Sequence, residues 1–123
     1  MQKNNKLSLF IRVTALLLLS ALSTLVNAQA QTTITSLQQI TNPAGSYIIT
    51  DDINAAGFDT PIADFTGTLT SAPKQDGTFP VISNLTVPIF TTATDATISN
   101  IILDAINISY PSSVGAICCT ANG

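Results

Sequence analysis

Apolar residues recur along the second half of the chain at a sixteen-residue interval: Ile82, Leu85 and Val87, then Ile98, Ile101 and Leu103, then Val114, Ile117 and Cys119. An evenly spaced apolar triad brings a chain back to the same place after each circuit, so that stacked circuits share a core that none could bury alone. Asn84 and Asn100 fall at equivalent points of the first two copies, and Ala116 takes that place in the third. In a coil of parallel strands such asparagines stand at the bends and pass amide hydrogen bonds from rung to rung. The alternative is that Ser83-Asn84 and Ser99-Asn100 are ordinary turn residues.

The segments before the repeat have the same character. Ser46 to Thr50 reads as a strand after Pro43-Ala44-Gly45, and Asp51 to Asn54 leads into a turn at Ala56-Gly57. Phe65 to Thr70 alternates in period two, which sets Phe65 and Leu69 on one face and Thr66, Thr68 and Thr70 on the other. Ser71 to Thr78 is a polar loop, and Pro80-Val81-Ile82 opens the next strand. Gln31 to Ile40 reads as a turn or cap, with a short strand as the other choice. β-branched residues dominate and six prolines interrupt the chain, which excludes long helices. The expected fold is all-β, a right-handed parallel β-helix of about three to four rungs.

The first thirty residues belong to a different class. Lys3 and Lys6 precede a stretch from Leu7 to Val26 that is densest at Leu16 to Leu19, and Ala28-Gln29-Ala30 follows. A positive start, an apolar segment and a small-x-small site make a helical secretory signal peptide over 1–30, cleaved after Ala30 or Ala28. Arg12, Ser20, Ser23 and Thr24 break the apolar run short of the roughly 20 residues a spanning helix needs, so no stable membrane span is expected after processing. The domains are therefore 1–30 as signal and 31–123 as the β-helix cap and first rungs, with the product secreted or displayed at the cell surface.

Removing that signal leaves Lys74 as the only cation against seven aspartates. Such a chain cannot neutralise phosphates, which excludes nucleic acid as a partner. Uncharged hydroxyls and amides supply most of the remaining polarity, and such surfaces suit glycans, cell-surface proteins or other strands. One reading takes Thr66, Thr68 and Thr70 with Thr92 and Thr94 as a flat hydroxyl face.

Ser46 to Asn54, Phe65 to Leu69, Ile82 to Leu85 with Pro88-Ile89-Phe90, and Ala96 to Ile101 together resemble the opening of secreted Bacteroidetes-type repeat proteins related to the GLUG-motif group. The resemblance spans about residues 45 to 119. It implies a right-handed parallel β-helix at the cell surface, engaged in adhesion, display or glycan contact, and it brings no catalytic residues with it. It also implies further rungs, so the chain reads as part of a longer protein, with an uncapped edge able to self-associate.

The chemistry-bearing residues point away from catalysis. There is no histidine and no glutamate, so no Ser-His-Asp or Cys-His arrangement can form. Asp51 and Asp52 are adjacent and face opposite ways in an extended chain, and no carboxylate spacing calls for the acid pair of a glycosidase. Asp51, Asp52, Asn54 and Asp59 could offer hard oxygens to calcium, but they fit turn capping better. Cys118 and Cys119 read as two thiols, Cys119 inward and Cys118 outward, rather than a vicinal disulfide or metal ligands. The functional expectation is a non-enzymatic, adhesin-like scaffold without catalytic, metal or cofactor residues. The alternative is the N-terminal part of a polysaccharide-degrading β-helix enzyme, a lyase or glycoside hydrolase.

Overall fold

Short runs of β-branched residues, each cut off within a few positions by Asn, Asp, Gly or Pro, give many brief strands and no α-helix among the described residues. The computed structural model describes residues 30–109 and 115–123. The signal-like stretch with Ala28, and Val114 of the third apolar triad, lie outside these residues; Ala30 is exposed. The strands are β1 (Thr32–Ile34), β2 (Ser46–Ile49), β3 (Ile53–Asn54), β4 (Thr68–Ser71), β5 (Val81–Ser83), β6 (Phe90–Thr94), β7 (Thr97–Ser99), β8 (Ile102–Asp104) and β9 (Cys118–Asn122).

All pairings between these strands are parallel. They form three sheets: β1-β2-β4-β7, β3-β5-β8, and β6-β9. Single bridges from Ile62 to Phe90 and from Phe65 to Ala93 extend the third sheet by one short segment. From β2 onward the chain visits the three sheets in strict rotation: β2, β3 and the Ile62–Phe65 segment, then β4, β5 and β6, then β7, β8 and β9. The expectation of an all-β fold with parallel strands is therefore met.

The register shows why the sixteen-residue interval misleads. Ile82 lies beside Ile53 on one side and Leu103 on the other, whereas Ile98 lies beside Leu69. Ile82 and Ile98 thus belong to different sheets, and the supposed columns do not exist. The true return is longer and uneven. Thr70 meets Ser99 across 29 residues, while Ser46 already meets Thr68. Length varies because the connections vary: Ala72 to Pro80 makes an excursion between β4 and β5 that has no counterpart between β7 and β8. The interval compares a strand of one sheet with a strand of another: Ile82 stands in the second sheet and Ile98 in the first.

Columns of paired residues build the core. Tyr47 and Leu69 of the first sheet, Ile53 and Ile82 of the second, and Phe65 and Phe90 of the third are all buried. Leu37 and Ile40 join them from a 3-10 turn at Leu37–Gln39. The Gln39 side-chain oxygen accepts from the backbone N–H groups of Thr35 (2.7 Å) and Ser36 (3.2 Å), which holds that turn in place. Both readings of Gln31 to Ile40 are realised, as β1 and as the turn after it.

Corners set the side-chain directions. Asn84, Asn100, Asp64 and Asp95 adopt left-handed backbone conformations with φ of 59°, 57°, 52° and 51°, which short polar side chains tolerate by local hydrogen bonding. Gly67 makes the corner between Phe65 and β4. A β-carbon there would overlap the carbonyl oxygen of Gly45, which accepts the Thr68 N–H at 2.9 Å. That corner corrects one expectation: Phe65 and Leu69 do not share a strand face but lie in the third and first sheets, both buried.

Candidate functional site

Among the described residues, burial along the apolar columns is complete in the middle of the stack and falls off toward β7, β8 and β9. Leu69, Ile82 and Phe90 are inaccessible to solvent or nearly so, whereas their partners Ile98, Leu103 and Cys118 are only half-buried. The strands carrying those partners, β7, β8 and β9, each pair with a single neighbour among the described strands. A cavity of about 790 Å³ lies where the three strands converge. Ile98, Leu103, Ile117 and Cys118 form its apolar lining, Ala93 and Ala121 leave the space free, and Asp95 is the charged residue on its wall. This mouth can receive an apolar group.

The residues singled out from the sequence are distributed as follows. Leu85 is buried at the corner after β5, and Val87 is half-buried against the core. Ile98, Ile101, Leu103 and Ile117 pack on the core from the open end. Asn84 is not joined to Asn100; its side-chain Nδ2 donates to Asn54 Oδ1 at 3.1 Å. Asn100 turns a different corner, after β7. Cys118 is the residue that pairs with Phe90 and packs on the core, which reverses the inward and outward assignment of Cys118 and Cys119. Both cysteines are free thiols, and Cys118 Sγ donates to the Thr120 carbonyl at 2.8 Å.

The carboxylates are dispersed, and Asp51, Asp52, Asp59 and Asp76 are locally engaged. Asp52 accepts the Val81 N–H at 2.9 Å and pairs with Lys74 Nζ at 3.1 Å. The backbone donor first, and the lysine second, hold its carboxyl below the ordinary aspartate range. Asp76 accepts from the hydroxyl (2.6 Å) and N–H (2.9 Å) of Thr78, which lowers its pKa too. Asn54 Oδ1 takes the Ala56 N–H as well as Asn84, and Asp59 takes the Thr60 hydroxyl. Among the described residues no three of His, Cys, Asp and Glu gather into a group able to hold a metal ion. The threonine set also splits: Thr68 and Thr70 lie in the first sheet, Thr92 and Thr94 in the third.

The sequence reading missed the stacked pair Phe65 and Phe90 and the small residues Ala93, Ala96 and Ala121 that shape the mouth. A usable signal was present. The triplets Ser46-Tyr47-Ile48, Thr68-Leu69-Thr70 and Thr97-Ile98-Ser99 share one pattern of an apolar residue between flanking ones, and they are the three successive strands of the first sheet.

A family model described as M26 IgA1-specific Metallo-endopeptidase N-terminal region matches residues 28–123. No curated protein and no solved structure matches the chain. The family match overturns the expectation of a non-enzymatic adhesin-like scaffold, because it connects the chain with a protein-cleaving enzyme. It gives no support to the polysaccharide-degrading alternative. The expectation rested on the lack of histidine and glutamate in the chain, and a region that matches an endopeptidase family can lack them.

Proposed function

This chain belongs to the family of M26 IgA1-specific metallo-endopeptidase N-terminal regions, and on that premise we propose that it serves protein cleavage without holding the metal itself. The family match over 28–123 carries this reading. The donor set argues the second half of it. Zinc in an endopeptidase is held by histidine and glutamate with a further base nearby, and the chain contains neither residue type. Its aspartates are scattered, and among the described residues they do not gather into a metal-holding group, so the residues present do not fit a catalytic metal.

What remains for the region is recognition and positioning of a polypeptide, which the family description suggests is immunoglobulin A1. The three-sheet rotation supports a right-handed parallel β-helix as the scaffold: each return to the same sheet is a parallel crossover connection, and such connections are right-handed in about 98% of cases. Export through the 1–30 segment and a cell-surface setting, as in GLUG-motif-like proteins, belong to the same proposal.

The test is direct. Purified protein is assayed for binding to immobilised immunoglobulin A1, for zinc binding by calorimetry, and for zinc-dependent cleavage of the immunoglobulin. Binding without cleavage and without stoichiometric zinc uptake is expected. Zinc-dependent cleavage by this chain alone overturns the assignment of the metal elsewhere, and failure to bind the immunoglobulin overturns the recognition role.

A further inference from the structure

Cys118 and Cys119 are the only cysteines of the chain, and both are free thiols at the start of β9. They are neighbours in an extended strand, so their side chains leave on opposite faces. Cys118 registers with Phe90, packs on the core and lines the mouth, while Cys119 is turned the other way. A disulfide needs its β-carbons about 3.5–4.5 Å apart, which opposite faces of a strand do not allow. Closing the bond requires the peptide between the two residues to leave its extended conformation. The pairing of Cys118 with Phe90 at the start of β9 and a bond between Cys118 and Cys119 therefore exclude each other.

We propose that this pair is a redox-sensitive latch on the mouth, with a low-molecular-weight disulfide as its oxidant. The Cys119 thiolate attacks one sulfur of that disulfide, forming a mixed disulfide and releasing one thiolate. The Cys118 thiolate then attacks Cys119 Sγ and expels the second thiolate. The two protons from the cysteine thiols go to the two leaving thiolates, and two electrons reduce the small disulfide to two thiols. Closure takes Cys118 off the core, breaks its hydrogen bond to the Thr120 carbonyl, and removes β9 from Phe90 and Thr92. The mouth then loses the wall supplied by Ile117 and Cys118. β9 is suited to such release because it pairs with one described strand only and its residues are half-buried or exposed. This inference concerns the thiol pair alone and stands apart from the recognition role.

The experiment equilibrates the full chain in mixtures of reduced and oxidised glutathione and follows intact mass with backbone hydrogen exchange. Expected is a monomer lighter by two hydrogens, with exchange at Thr120, Ala121 and Asn122 at least about tenfold faster than in the reduced form. In C118S and C119S the same buffer leaves exchange at those amides unchanged. A monomer with the bond closed and β9 still protected overturns the proposal, as does an oxidised product consisting only of mixed disulfides or linked dimers. If C118S disturbs the fold, C119S keeps the core residue and serves as the deciding control.

Discussion

The ring of Phe65 lies flat on the ring of Phe90, with centroids 4.2 Å apart and planes 15° from parallel. Both rings are fully buried, and they join two successive segments of the third sheet through the interior, in addition to the backbone bridges of Ile62 with Phe90 and Phe65 with Ala93. Replacing Phe65 or Phe90 by alanine is expected to cost about 3–5 kcal/mol of stability, from lost burial and the cavity left behind. A double-mutant cycle by denaturant unfolding should return a coupling of about 0.5–1.5 kcal/mol for the stacked pair. Additive losses would mean that the stacking contributes nothing of its own.

Gly67 and Gly57 make a matched test of the corners. A β-carbon on Gly67 collides with the Gly45 carbonyl, a backbone atom that cannot swing aside. Gly67→Ala is therefore expected to disrupt pairing of β4 with β2 and to lower the melting temperature sharply. Gly57 has nothing within 4 Å of the same position, and Gly57→Ala should be neutral or stabilise by up to about 1 kcal/mol by restricting the unfolded chain. Thermal melts of the two variants read the contrast.

Asp52 links the β2–β3 corner to the start of β5 and to Lys74. Its carboxyl is held below the ordinary aspartate range by the Val81 N–H and then by the lysine, so its contribution is complete above the unfolded-state value and is lost as pH falls through the folded one. Asp76, lowered by Thr78, behaves alike. Melting temperature should fall between about pH 5 and pH 2, and Asp52→Asn should flatten part of that fall. A variant with an unchanged pH profile would remove Asp52 from the account.

Ser71 is 5% exposed, and its hydroxyl has no hydrogen-bond partner in the structure. It ends β4 beside Ile49, in a column that is otherwise apolar. An unpaired buried hydroxyl costs about 1–3 kcal/mol, so Ser71→Ala should be neutral or stabilising in chemical denaturation. A loss of stability above about 1 kcal/mol would show that the hydroxyl has a partner after all.

The fold class was legible in the sequence because strand composition and turn residues are local signals. Ser46 to Ile49 and Val81 to Ser83 stand close to where their patterns place them. The register was not legible. Parallel pairing joins residues such as Thr70 and Ser99 across 29 positions, and the intervening corners differ in length, so no fixed interval runs through the chain. The expected stacking of Asn84 on Asn100 is not found; Asn84 bonds Asn54, which precedes the repeat that drew attention to Asn84. Orientation at Cys118 and Cys119 followed from that same error, because each was placed by counting from Ile82. The link to an endopeptidase could not be read from the side chains, because the residues that would signal hydrolysis are absent from the chain.

The excursion from Ala72 to Pro80 closes on itself, with Lys74 N–H donating to the Thr78 carbonyl at 2.8 Å and Gly77 N–H to the Lys74 carbonyl at 2.9 Å, and a single ion pair moors it to Asp52. Neither neighbouring strand changes step to accommodate it: β4 still meets β7, and β5 still meets β8. A molecule assembled in this way can acquire or shed appendages at its edges while its interior stays the same. Its diversification over time would be expected to concentrate at such bays rather than in the columns beneath them.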